Sequence, residues 1–145
     1  MIYLILGIAI LAIIFFVLDS RRGGNENRLI RVGETEIQVE IADNLAEQIQ
    51  GLSGSEQLCE NCGMLFVYDE ARPMDFWMKD MKFALDIIFI RDGKITEIHE
   101  NILPPTASDP EVRHVFSAET ADTALEVNAE FAKQKSLRIG DALEY

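Results

Sequence analysis

The chain has 145 residues, with 13 basic against 25 acidic side chains and a net charge of −12. That length allows one domain of ordinary size and a short appendage, and the acidic balance argues against binding nucleic acid, because a phosphate backbone needs a basic face. The 48% apolar content hides two different polymers: residues 1–18 hold 17 apolar residues, Gly7 and no charge, whereas every charged residue lies after Leu18.

Eighteen residues at the helical rise span about 27 Å, close to the hydrocarbon thickness of a bilayer, so residues 1–18 read as a single-pass transmembrane anchor. A cleaved signal peptide needs a basic first segment and a small-x-small cleavage site, and neither precedes Asp19-Ser20-Arg21-Arg22. Residues 19–31 carry four Arg and two acids, whereas residues 32–145 carry 9 basic and 23 acidic side chains, net −14. Those arginines favour a cytoplasmic placement by the positive-inside rule, or rest on anionic headgroups. Gly23 to Asn27 reads as a flexible linker, so residues 19–34 form a juxtamembrane linker with a first strand over Arg28–Val32.

From residue 35 the pattern is that of a folded domain. Ile37, Val39 and Ile41 alternate with Glu36, Gln38 and Glu40, the signature of a half-buried strand over 35–42. Asn44 followed by Glu47 reads as a helix start, with Leu45, Ile49 and Leu52 on one helical face before Gly51 and Gly54 end it. The run from Gly63 to Tyr68 reads as a buried strand. Asp92-Gly93 between two apolar runs, 85–91 and 94–100, predicts a type I′ hairpin, placing Arg91 opposite Lys94, Ile90 opposite Ile95 and Ile87 opposite Ile98. Three prolines within 104–110 exclude helix and central strand there, so that segment is a loop. Strands are expected over 112–118 and 123–127, a short helix capped by Asn128 and running to Lys135, and a turn plus terminal strand over 137–145. The whole points to a mainly β fold over 35–145, a β-sandwich or partly open barrel with two short helices.

The sharpest local motif is Cys59-Glu60-Asn61-Cys62-Gly63. It fits a local disulfide or paired structural thiols, half of a zinc knuckle, or a redox pair. A closed zinc site needs four ligands; His99 and His114 complete a Cys₂His₂ inventory, but at a spacing unlike that of a zinc finger. A redox pair belongs between a strand and a helix start, whereas an apolar strand-like run follows this one. His114 shares an alternating face with Phe116, which suits a core or rim histidine with one hydrogen bond. His99 ends a hairpin strand and is expected to be solvated. No nucleophile elbow, phosphate-cradling glycine loop or H-E-x-x-H motif is present.

The segment from Arg72 to Met81 contains the single Trp, three Met and four charges. Aromatic surface interleaved with charges suits a small-molecule cleft, and equally a strand with Phe76 and Met78 in the core and Trp77 and Lys79 outside. The candidate ligand-binding residues are Trp77, Lys79, Asp80 and Asp86. A buried Asp86 would need Lys79, Lys82 or Arg72 as partner, or would hold its proton and serve as an acid or base.

Gly51-Leu52, Gly63-Met64-Leu65-Phe66, Phe76-Trp77-Met78-Lys79-Asp80, Leu85 to Ile90, Leu125-Glu126-Val127 and Ile139-Gly140-Asp141 occur in the order seen in domain of unknown function 192, and the chain resembles that family over about residues 35–145. The resemblance implies a compact, mainly β fold behind an N-terminal signal or anchor, in a family of small membrane-anchored or exported prokaryotic proteins without an established activity. Many relatives look exported, which leans the domain to the extracytoplasmic side. The family usually has Asn at position 80 and Pro at position 84, where this chain has Asp80 and Ala84, and its relatives place acidic or polar loop residues where the Cys pair stands.

The sequence therefore points to a membrane-anchored, non-catalytic module that binds a small ligand or a protein partner through Trp77 to Asp86 and the 104–110 loop, without nucleic acid. The alternatives are a metal or redox protein on Cys59 and Cys62, with zinc as the candidate metal, and an enzyme using Asp80 and Asp86 as paired carboxylates.

Overall fold

The structure, a computed structural model, describes residues 27–145. The expected anchor over 1–18 lies outside the described residues; among those described, no helix is long and apolar enough to cross a membrane.

Among the described residues nine strands form, in chain order, β1 (Asn27–Val32), β2 (Thr35–Ala42), β3 (Cys62–Arg72), β4 (Asp75–Trp77), β5 (Leu85–Arg91), β6 (Lys94–Ile102), β7 (His114–Phe116), β8 (Ala121–Asn128) and β9 (Leu143–Glu144), with α1 (Leu45–Gln50) after β2 and α2 (Phe131–Gln134) after β8. Seven strands make one curled sheet in the order β6-β5-β8-β3-β2-β1-β9, and β4 and β7 make a separate two-stranded ribbon. Only the β2–β3 pair is parallel, because α1 and the loop after it carry the chain back to start β3 beside β2. The last segment lies between the two ends of the sheet. Gly33 N–H donates to the Ala142 carbonyl (2.9 Å), Ile95 N–H to that of Asp141 (3.0 Å) and Leu143 N–H to that of Gly93 (2.9 Å). Of the two architectures expected, this is the partly open barrel.

Strands β3, β5 and β8 are covered on both faces, which is why Ile87 to Ile90 of β5 read as an unbroken apolar run. One face packs inside the barrel, with Ile30, Val39, Leu65, Ile88, Leu125, Val127 and Phe131. The other packs beneath the ribbon, with Met64, Phe66, Met74, Phe76, Met78, Ile87, Phe89 and Ala124. The ribbon alternates accordingly: Phe76 and Met78 are buried, Trp77 is not.

The β1–β2 hairpin turns at Gly33-Glu34, and β2 spans the predicted residues. Asp92 (φ 49°) and Gly93 (φ 70°) both adopt the left-handed region that a type I′ turn requires, and Arg91–Lys94 and Ile90–Ile95 pair as expected. Beyond that the register departs from the prediction. Ile87 faces His99, and Ile98 faces Ile88. One extra residue of β6, Thr96, bulges out and donates its hydroxyl to the Phe89 carbonyl (3.2 Å), and an added residue shifts every later pair.

Both helices differ from expectation. Asn44 caps α1 through its side chain, accepting from Glu47 N–H at 3.1 Å, but of the three apolar residues assigned to one face only Leu52 is buried; Leu45 and Ile49 are exposed. The helix ends after six residues at Gly51 (φ 49°), so it never lays its face on the sheet. Asn128 belongs to β8 and caps nothing: its amide holds the carbonyls of Cys59 (2.8 Å) and Leu58 (3.3 Å). The α2 cap is Glu130, in the left-handed region and without a side-chain cap bond.

Candidate ligand-binding site

Asp86, an expected site carboxylate, is fully buried, and backbone donors rather than a cation surround it. Its Oδ1 accepts the backbone N–H groups of Asn101 (2.9 Å) and Glu130 (3.1 Å), and its Oδ2 that of Ala132 (2.9 Å). Glu130 and Ala132 open α2, so Asp86 caps that helix from the neighbouring strand and supplies the acceptor that Glu130 lacks. Backbone donors replace the predicted Lys79, Lys82 or Arg72, and Lys82 instead pairs with Glu56.

A second buried carboxyl, Glu126, is not among the candidate site residues of the sequence. It sits in β8 between Met64 of β3 and Ile87 of β5, on the face beneath the ribbon, and is 5% exposed. Among the described residues no hydrogen bond or ion pair reaches it. Every fully enclosed polar side-chain atom there has a partner, so the unpaired Glu126 carboxyl opens onto the adjoining cavity. Burial pushes its pKa up to about 8, which keeps it mostly protonated at neutral pH. The available signal was a lone acid in the apolar run Ala124 to Val127 of a strand buried on both faces.

That cavity holds about 220 Å³ and is lined by α1 and the turn after it (Leu45, Gln48, Ile49, Gly51, Leu52), by Phe66, Tyr68 and Arg72 of β3, by Asp75, Phe76 and Trp77 of β4, and by Met74, Met81 and Glu126. Its placement follows from the packing. The short α1 leaves a gap between itself and the ribbon, held open because the Gln48 amide is anchored on the Val67 carbonyl (2.8 Å). Phe66 and Phe76 meet edge to face, with centroids 4.8 Å apart, in its wall. The Arg72 guanidinium lies over the Tyr68 ring, 5.5 Å from its centroid. Burial raises the Tyr68 hydroxyl pKa; Arg72 pulls it down and Glu126 pushes it up. At the rim Asp75 pairs with His114 Nδ1 at 2.8 Å, and the His114 ring stacks on Phe116.

The predicted site residues therefore separate. Trp77, 38% exposed, lines this cavity and also a shallower groove of about 370 Å³ that holds Lys79 and Asp80. Asp80 takes a left-handed backbone (φ 56°), which Asp and Asn tolerate better than other side-chain-bearing residues, so the Asn-to-Asp departure keeps what the turn requires. Ser53 ties down this turn by donating its hydroxyl to the Lys79 carbonyl (2.8 Å). Asp86 lines neither cavity, and the fold does not bring it together with Asp80 as a catalytic pair. The 104–110 loop also lies apart from both; the Arg113 guanidinium fastens it by the carbonyls of Leu103 and Pro104 (3.3 Å each).

Cys59 and Cys62 form a disulfide. Neither sulfur is then a thiolate ligand, and among the described residues no three His, Cys, Asp or Glu side chains converge on a metal position. His114 is a rim histidine with one hydrogen bond, as expected, and His99 is half-buried against Phe89 and Glu97.

The family model of DUF192, described as an uncharacterized ACR, matches residues 28–145. This chain belongs to DUF192. It is similar in structure to a protein from Sinorhizobium meliloti 1021 named a putative transcription regulator, with TM-score 0.76 and 32% identity, over 83% of this chain and 95% of that one. It is similar also to a protein of unknown function from Novosphingobium aromaticivorans DSM 12444, with TM-score 0.76 and 26% identity, over 86% and 89% of the two chains. No curated protein matches. In this DUF192 chain four of the six blocks that carried the resemblance converge in space: Gly51, Leu52, Phe66, Phe76, Trp77 and Glu126, far apart in sequence, line one cavity.

Proposed function

We propose that the chain is a non-catalytic small-ligand-binding module held at a membrane surface by residues 1–18, with its site in the cavity between α1 and the β4–β7 ribbon. The observation that carries this reading is the unpaired, buried Glu126 carboxyl opening onto an aromatic-lined cavity. The carboxyl has no protein donor and is accessible from the cavity, so a ligand seated there can supply the donors it lacks. The exposed aromatic surface of Trp77 supplies contact area, and Gln48, Arg72 and Asp75 supply polar groups for orientation. The cavity is smaller than a drug-sized site, so the ligand is a compact molecule. Binding without catalysis is favoured because Glu126 has no second titratable group hydrogen-bonded to it and no nucleophile beside it.

The Cys59–Cys62 disulfide supports an extracytoplasmic domain, since such bonds persist in oxidising compartments. The name of the Sinorhizobium protein concerns transcription; the acidic charge of this chain disfavours direct phosphate contacts.

Trp77 is the single tryptophan and reports on the site directly. Ligands that occupy the cavity shift its emission and raise the melting temperature of the full-length chain. Trp77→Ala removes the thermal shift with the fold intact; a variant that unfolds outright overturns the assignment of Trp77 to a site. A membrane-impermeant thiol reagent on intact cells labels the cysteines only after reductant if the domain lies outside.

A further inference from the structure

Resting on that reading, we infer that the cavity takes a small organic amine, held as its ammonium by the Glu126 carboxylate among Trp77, Tyr68, Phe66 and Phe76. Three independent features carry this. First, the Glu126 carboxyl has no protein donor, so a ligand that brings both charge and N–H donors satisfies it completely, whereas a hydroxyl offers a single donor. Second, Trp77, Tyr68, Phe66 and Phe76 line the cavity, and aromatic rings attract cations within about 6 Å, as the Tyr68 ring already holds the Arg72 guanidinium. Third, the field is negative. The described domain keeps the whole net charge of −12, because residues 1–26 carry two Arg and two acids. A neighbouring depression that shares Tyr68 and Arg72 with the cavity is lined by three acids, Asp43, Asp69 and Glu70, and Asp75 stands at the rim. An acidic approach of this kind concentrates cations at a cleft.

The groups that line the cavity with Glu126 set the limits of the ligand. From β3 come Tyr68 and Arg72, from β4 Asp75, and from α1 and its turn only uncharged Gln48, Gln50 and Ser53; β5 places Ile87 beside it. Arg72 is the one cation of the lining, so a ligand with two positive charges is disfavoured and one with an amine and a carboxyl is accommodated. Binding is balanced by release of a proton: the neutral acid and the incoming ammonium give an ammonium–carboxylate pair and one proton to solvent. Since burial raises the Glu126 pKa to about 8, affinity rises with pH up to that value, by about tenfold per unit.

The test is a titration of Trp77 emission in the full-length chain with n-butylammonium chloride and, separately, with butan-1-ol, which has the same carbon chain and no charge, against a sodium chloride control. The expected result is at least about tenfold tighter binding of the amine, with proton release detected by calorimetry in buffers of different ionisation heat. Glu126→Gln, confirmed folded by circular dichroism, erases the preference and the proton release. Equal affinity of amine and alcohol overturns the amine assignment and leaves the small-ligand reading standing. No response to either overturns both.

Discussion

A Cβ on Gly63 would stand 2.7 Å from the carbonyl oxygen of Glu126, and 3.1 Å from methyl groups of Leu125 and Val127. Gly63 lies at the start of β3 against Val127 of β8, and its φ is not in the left-handed region; what the position demands is space. The obstructing atom is backbone in a central strand pair and cannot rotate away. Gly63→Ala is expected to destabilise the domain by about 1–3 kcal/mol, read as a lower denaturation midpoint in urea. A midpoint unchanged from wild type would show that β3 and β8 separate without cost.

Glu126 makes stability depend on pH in a definite direction. Its pKa rises from 4.5 to about 8 on folding, so the folded state holds the proton more tightly. The contribution is fully present below about pH 4.5, falls as the unfolded chain loses its proton first, and is gone above about pH 8. Glu126→Gln, which cannot ionise, is expected to melt near wild type at pH 4.5 and above it at pH 8, by an amount on the order of a few kcal/mol. Melting curves that run parallel across this range would refute the unpaired buried carboxyl.

Asp86 predicts a structural phenotype. Asp86→Asn places an amide donor against backbone N–H groups that its carboxylate now accepts, leaving part of that set unsatisfied. The expected loss is about 2–4 kcal/mol, with faster amide exchange at Ala132 and Asn101. Trp77 emission and its response to n-butylammonium should survive in the folded fraction. Loss of the response with stability intact would return Asp86 to the binding site.

The Cys59–Cys62 disulfide closes a short loop, and chain-entropy reasoning assigns it about 2 kcal/mol. The double substitution of both cysteines by Ser should lower the melting temperature without abolishing the fold, because Asn128 still holds the carbonyls of Leu58 and Cys59. A protein that fails to fold without the bond would show that the 52–61 segment has no other anchor.

Two neighbours on one strand should respond oppositely. Phe76 is 7% exposed and in contact with Phe66 and Phe89, so Phe76→Ala should cost about 3–5 kcal/mol. Trp77→Ala should cost far less stability and should remove binding. Comparable losses in both variants would mean that the alternation along β4 does not separate core from site.

What was legible in the sequence is what short-range chemistry decides. The alternation of Ile37, Val39 and Ile41, the left-handed preference of Asp92-Gly93, the Asn44 cap and the prolines of 104–110 each act within a few residues, so β2, the hairpin turn, the start of α1 and the loop could be placed without a partner in view. The outward setting of Trp77 was legible too, because alternation with buried Phe76 and Met78 is also local.

The tertiary structure decided the meaning of the carboxylates. Asp86 and Glu126 are both acids in apolar strands, and their sequences do not distinguish them. Asp86 meets the open end of α2 some forty residues further along the chain and is satisfied by backbone; Glu126 meets Met64 and Ile87 from strands at two other places in the chain and is left facing a cavity. Whether a buried charge finds donors depends on which elements pack beside it, and that is a property of the assembled sheet, as was the bulge at Thr96 that moved the register of the hairpin. The length and charge of the chain marked an acidic domain behind an apolar segment; only the packing of α1, β3, β8 and the ribbon placed one of its many acids in the lining of a cavity.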